Sequence, residues 1–185
     1  MAGGAGDWRM VSERSLLRTR VFEVREERWE RPDNAFSGDF FTLKCGDWVN
    51  VAAITAAAEL VMIRQFRPGN RQMELEIPGG LVDPGETPLE AGVRELREET
   101  GYHGGSAELI GAVCPNPAFH RNRCHTVLVT GAAKGEATSD DPGEDIETFL
   151  APLASLKGMV RDGRITHGLV LNALHFLELK LETLS

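Results

Sequence analysis

The stretch that most constrains this chain lies near its middle, where both ends of a helix are written into the residues. Thr87 is placed to cap, Pro88 takes the first helical position, Glu90 completes a capping box and Gly101 supplies the stop. The pattern predicts a helix over residues 88–100. Before it, Pro78, Gly79 and Gly80 break a short extended segment at Glu74 to Ile77. At 100° per residue, Leu89, Val93 and Leu96 gather with Thr100 on the side expected to face a core. Glu95, Glu98 and Glu99 stand at i, i+3 and i+4, so three carboxylates share one face. Like charges at that spacing cost an exposed helix roughly 0.2–0.5 kcal/mol per pair, so the arrangement has no stability reason of its own. A divalent cation would reverse the sign, and hard cations such as Mg²⁺ prefer oxygen ligands. The competing reading is a solvated acidic face whose charges are met by Arg94 and Arg97.

The chain has 185 residues, enough for one good core, with 28 acidic against 20 basic residues and a net charge of -8. That balance argues against a general nucleic-acid binder and requires locally placed cations if phosphates are handled. Cys45, Cys114 and Cys124 show neither a disulfide framework nor zinc-ligand spacing, so a cytoplasmic protein is expected. The opening MAGGAGD has no secretory pattern, and no apolar run is long enough for a membrane span.

Strand patterns flank the helix. Residues 16–29 and 36–45 read as an N-terminal hairpin around the turn RPDN, followed by strands over 48–55 and 59–66. Residues 107–113, 124–130 and 146–150 read as later strands. A short helix is expected near 153–161 and a longer one near 166–184, with Leu169, Ala173, Phe176 and Leu177 on one face. Strands first and mixed helices after suggest an α/β (α+β) fold with a sheet covered by helices. The expected division is an N-terminal β extension over residues 1–50 and a main domain over 51–185.

The run from Gly80 to Tyr102 resembles the Nudix box, GX5EX7REUXEEXGU with U apolar, at each defined position: Gly80, Glu86, Arg94, Glu95, Leu96, Glu98, Glu99, Gly101 and Tyr102. The resemblance implies an α/β/α sandwich with a mixed sheet and a hydrolase using Mg²⁺ or Mn²⁺. It also implies a metal site made of the Gly79 carbonyl, Glu95, Glu98 and Glu99, with Arg94 orienting the glutamates, Glu98 also counted as catalytic, and Glu86 supporting the loop. In this family a general base sits in the box or in a downstream loop. Here that loop reads SDDPGEDIET, and Glu144, then Asp141, are the candidates.

The segment from Glu59 to Glu86 is similar to the ADP-ribose and nucleoside-diphosphate-sugar branch of the family. By that likeness Arg67, Arg64 and Glu76 are substrate-binding candidates, a guanidinium suiting phosphate through its planar fork. Asn116 and His120 are candidates to read a sugar or base, and Trp29, with Phe22 and Phe36, to stack on a base across a homodimer built on the N-terminal strands. The implied reaction cleaves ADP-ribose or a nucleotide sugar into a nucleoside monophosphate and a sugar phosphate. Other substrates, a dinucleoside polyphosphate or a damaged nucleotide, remain open, as does a non-catalytic sensor, which the complete set of box carboxylates disfavours. Glu144→Gln is expected to lower turnover at least about 10²-fold while metal affinity, read by titration, stays largely intact.

Overall fold

The structure, a computed structural model, describes residues 8–32, 35–135 and 145–183. It divides into two compact units, Met1–Gly46 with Cys114–Asn122, and Asp47–Val113 with Arg123–Ser185. The division falls just ahead of the strand that begins at Trp48.

The first unit holds three antiparallel strands, β1 (Arg9–Arg18), β2 (Glu23–Glu30) and β3 (Ser37–Lys44), in that spatial order. A two-stranded hairpin was the sequence expectation, and residues 16–29 do not form one strand. Thr19 ends β1 because its hydroxyl accepts the backbone N–H groups of Val21 (3.2 Å) and Phe22 (3.0 Å), closing a tight turn into β2. Beside β3, Leu43 donates its N–H to the Phe119 carbonyl and accepts from Arg121. Glu27 is buried, yet its carboxyl lies below the ordinary range. Burial pushes it upward, and hydrogen bonds from Thr42 and Trp29 with the charges of Arg121 and Arg25 outweigh that cost.

The second unit is a mixed sheet between helices. Its strands are β4 (Trp48–Thr55), β5 (Glu59–Arg67), β6 (Gln72–Glu76), β7 (Gly79–Leu81), β8 (Tyr102–His103), β9 (Ser106–Val113), β10 (Cys124–Lys134) and β11 (Ile146–Pro152). The helices are α1 (Pro88–Thr100), α2 (Leu156–Arg161) and α3 (Gly168–Glu182). β4 and β10 run parallel, while the remaining pairs are antiparallel. Alternation along the central strands feeds two cores. Val49, Val51, Ala53, Val127 and Val129 pack with Ala91 and Leu96 of α1, whereas Ala52, Ile54, Leu60, Met62 and Leu128 pack with α2 and α3.

The helix α1 has the predicted ends, including both halves of the capping box and a left-handed Gly101 at its C-terminus. Its buried face matches the expected one at Leu96 and Thr100 and departs from it at Leu89 and Val93. Ala91, Gly92, Leu96 and Thr100 are buried, while Leu89 and Val93 are exposed. Small residues at 91 and 92 let the helix lie close to the sheet, and the count of large apolar side chains overlooked that contact. On α3 the expected Ala173 and Leu177 are buried, joined by Val170, whereas Leu169 and Phe176 are only half-buried. Leu96→Ala should lower unfolding free energy by about 2–5 kcal/mol, seen as a lower urea midpoint with an unchanged slope.

Candidate active site

β4 and β5 pair at one position only, Ile54 with Leu60. Toward its beginning β4 exchanges that neighbour for β7, through Trp48–Leu81, Val49–Gly80 and Asn50–Gly79, and β5 turns to β6. The residues at this fork line a cleft of about 310 Å³. Trp48, Val49 and Asn50 contribute from β4, Gly79, Gly80 and Leu81 from β7, and Arg67 and Glu76 from the ends of β5 and β6. His167 and Leu169 complete it from the start of α3.

Glycine is required in β7 by close approach. A Cβ on Gly79 would strike the Val49 carbonyl, and one on Gly80 would overlap the Glu95 carboxylate. The Gly79 N–H donates to Glu99 Oε2 at 2.9 Å. The box helix and the glycine strand are thereby joined at two of its three neighbouring glutamates.

Arg94 organises the rest. Its Nε and Nη2 grip both oxygens of Glu86 at 3.0 and 2.9 Å, and Nη1 donates to Glu95 (2.8 Å) and Glu98 (3.0 Å). Nη2 also donates to the Leu81 carbonyl at 3.0 Å. One guanidinium thus offsets the repulsion among three carboxylates and ties helix, loop and β7 together. The Arg94 fork is the main cause holding the Glu86 carboxyl below its ordinary range, against the cost of burial and with help from the Asp83 N–H. Arg94 itself is driven further toward its charged form, chiefly by Glu86 and then by Glu95 and Glu98, against burial.

A metal implied by this arrangement must fit the donors present. Among the described residues no group of three or more His, Cys, Asp or Glu side chains is arranged to hold a metal ion, so none forms a preformed cage. Mg²⁺ needs no such cage, because it is held by one or two carboxylates with waters and substrate phosphates. Glu95 and Glu99 beside the Gly80 and Gly79 backbone, with Glu98 one turn along, are hard oxygen donors of the right kind.

The remaining sequence candidates are scattered. Arg67 donates from Nε and Nη2 to the two oxygens of Glu76 at 2.7 and 2.8 Å, and Glu76 is buried. Both line the cleft. Arg64 is outside that lining and pairs with Glu147 at 3.3 Å on the surface. Trp29, Asn116 and His120 belong to the first unit. There the Trp29 indole donates to Glu27 at 3.0 Å, Asn116 accepts the Ala118 and His120 N–H groups, and the His120 ring stands edge-on to Phe119. Asp141 and Glu144 lie outside the described residues.

Sequence reasoning missed Trp48, Asn50, His167 and Leu169, which lie on a strand and a helix start with no motif of their own. It also missed Asp47, whose carbonyl accepts the Val82 N–H at 2.9 Å while its side chain accepts the Arg123 N–H (2.8 Å) and meets His125 Nε2 (3.1 Å). Burial pushes the Asp47 carboxyl up, and those two partners more than reverse it.

The sequence pattern of the NUDIX domain matches residues 47–171. An ADP-sugar pyrophosphatase of Mus musculus is 44% identical over 71 residues, which cover 38% of this chain and 33% of that protein. An ADP-ribose pyrophosphatase of Bacillus subtilis (strain 168) is 26% identical over 171 residues, 92% of each chain. The crystal structure of an ADP compounds hydrolase superimposes with a TM-score of 0.87 at 21% identity, over 100% of this chain and 99% of that one.

Because Arg94 lowers the Glu86 pKa, the pair stabilises the fold above the unfolded-state pKa of Glu86, and that contribution disappears as pH falls through its lower folded-state value. In Arg94→Ala the Glu86 carboxyl, followed by NMR titration, should move up toward the ordinary glutamate range. An unmoved Glu86 would contradict the assigned cause.

Proposed function

The chain belongs to the Nudix hydrolase family, and we propose that it cleaves the pyrophosphate bond of ADP-ribose or a nucleoside diphosphate sugar, giving a nucleoside monophosphate and a sugar phosphate. The observation that carries this reading is the convergence of the glutamate face of α1 on the glycines of β7, at a cleft that also presents Arg67. The names of the mouse and Bacillus relatives support the substrate class.

The cofactor in this reading is Mg²⁺ or Mn²⁺, held by Glu95, Glu98, Glu99 and the Gly79 carbonyl. When bound, the ion supplies charge neutralisation of the diphosphate and acidifies the attacking water. Arg94 keeps the glutamates in register. Arg67, its fork fixed by Glu76, presents positive charge to the diphosphate oxygens from the edge not occupied by that carboxylate. Water attacks one phosphorus, the bridging P–O bond breaks with its electrons leaving on the departing phosphate, and the proton of the water passes to a carboxylate. Glu144 is assigned that role, with Asp141 second.

The working form in this reading is a homodimer assembled through the first unit. All ten residues of β1 are exposed, and Trp8, Phe36 and Phe40 form an exposed cluster with ring centroids 5.8 to 6.2 Å apart. Apolar surface of this extent is usual at protein interfaces. No helix among the described residues is long and apolar enough to cross a membrane.

A panel of nucleotide sugars and ADP-ribose, incubated with Mg²⁺ or Mn²⁺ in ¹⁸O-labelled water, tests the reaction. One ¹⁸O per turnover should enter a monophosphate product, chelation should abolish turnover, and added Mg²⁺ should restore it. A folded, metal-supplied protein that turns over no member would defeat the proposal. Sedimentation at micromolar concentration should give the mass of a dimer, and a monomer would remove that part.

A further inference from the structure

The part of the cleft wall built by Trp48 and the start of α3 presents an indole, an imidazole and a leucine side chain. His167 stands at the head of α3, where Ser, Thr, Asp or Asn would cap the helix, but its side chain makes no cap bond. It lines the cleft with Trp48 and Leu169 instead. Its Nδ1 is out of solvent contact and has no hydrogen-bond partner among the described residues. The chain on either side is anchored. Ile165 is buried, Thr166 Oγ1 donates to the buried Glu74 at 2.9 Å, and the Leu169 carbonyl accepts from Asn50 Nδ2 at 3.2 Å. The backbone on both sides of His167 is therefore fixed, and with Nδ1 sealed from solvent it is the rest of the imidazole that can face the cleft.

Diphosphate oxygens only accept hydrogen bonds, and Arg67 and a cation suit them. A sugar hydroxyl can donate or accept, so it can pair with the one remaining imidazole nitrogen in either tautomer, and the C–H face of a sugar ring packs well on an indole and a leucine. We propose that His167 is a substrate-contacting specificity residue, and that with Trp48 and Leu169 it forms the wall receiving the sugar on the non-nucleoside phosphate. This assignment rests on the nucleoside-diphosphate-sugar reading of the site.

Calorimetric binding of the two expected products to the full chain, with Mg²⁺ present, tests it without any turnover. Wild type, His167→Ala and His167→Gln are each titrated with ribose 5-phosphate and with AMP. The alanine variant should bind ribose 5-phosphate about 10-fold more weakly and AMP less than about 2-fold more weakly, as for one lost hydrogen bond, and glutamine should recover part of the loss. Since no cap bond is removed, the thermal midpoint should hold; if the alanine variant fails to fold, the glutamine variant carries the comparison with a smaller loss confined to ribose 5-phosphate. Equal losses for both ligands, a loss for AMP alone, no loss, or a wild type that does not bind ribose 5-phosphate would each overturn the assignment. The expected binding pattern in a protein that hydrolyses no nucleotide sugar would defeat the reaction while leaving the sugar-phosphate wall in place.

Discussion

A strand edge can be hydrogen-bonded to only one neighbour at a time, and β4 uses the same edge for two. It meets β5 at Ile54, then gives that edge to β7 over Trp48 to Asn50. Because β5 must then satisfy its own backbone with β6, the sheet forks and leaves space that no side chain fills. Everything assigned to the site depends on this fork. It places the glycines of β7 beneath α1, exposes the ends of β5 and β6 where Arg67 and Glu76 sit, and leaves room for the start of α3. The Val51 N–H still finds a partner in the Pro78 carbonyl at 2.8 Å, so the split leaves that donor satisfied.

The second constraint is electrostatic. Glu86, Glu95 and Glu98 would repel one another and loosen the loop, and Arg94 holds all three while also gripping the Leu81 carbonyl. A surface ion pair is worth little alone. Here the same guanidinium is shared by groups on α1, on the loop before it and on β7, so its value lies in registering three segments rather than in a single contact. A cation taking Glu95 and Glu98 would compete with Arg94, whose fork on Glu86 could persist.

Much of this was legible in the residues because local rules decided it. The ends of α1 followed from Thr87, Pro88, Glu90 and Gly101, and β4 reads as a strand over residues 48–55. What failed depended on tertiary contact. Leu89 and Val93 counted as core by size, although Gly92, whose Cβ would sit 3.0 Å from Val127 Cγ2, marks the true line of contact with the sheet. Residues 16–29 read as one strand because the turn at Thr19 is made by a side-chain oxygen rather than by Gly or Pro. Asn50 and His167 carry no motif, and only the fork of the sheet brings them beside Gly79.

The central claim is that the glutamate face of α1 is a divalent-metal site and not merely a solvated acidic surface. Electron paramagnetic resonance of Mn²⁺, titrated into wild type and into Glu95→Gln, Glu98→Gln and Glu99→Gln variants, addresses it directly. Wild type should take up Mn²⁺ with loss of the free-ion signal, and each substitution should weaken that uptake, most of all when combined. Equal Mn²⁺ binding by wild type and the combined variant, with both folded, would contradict the account.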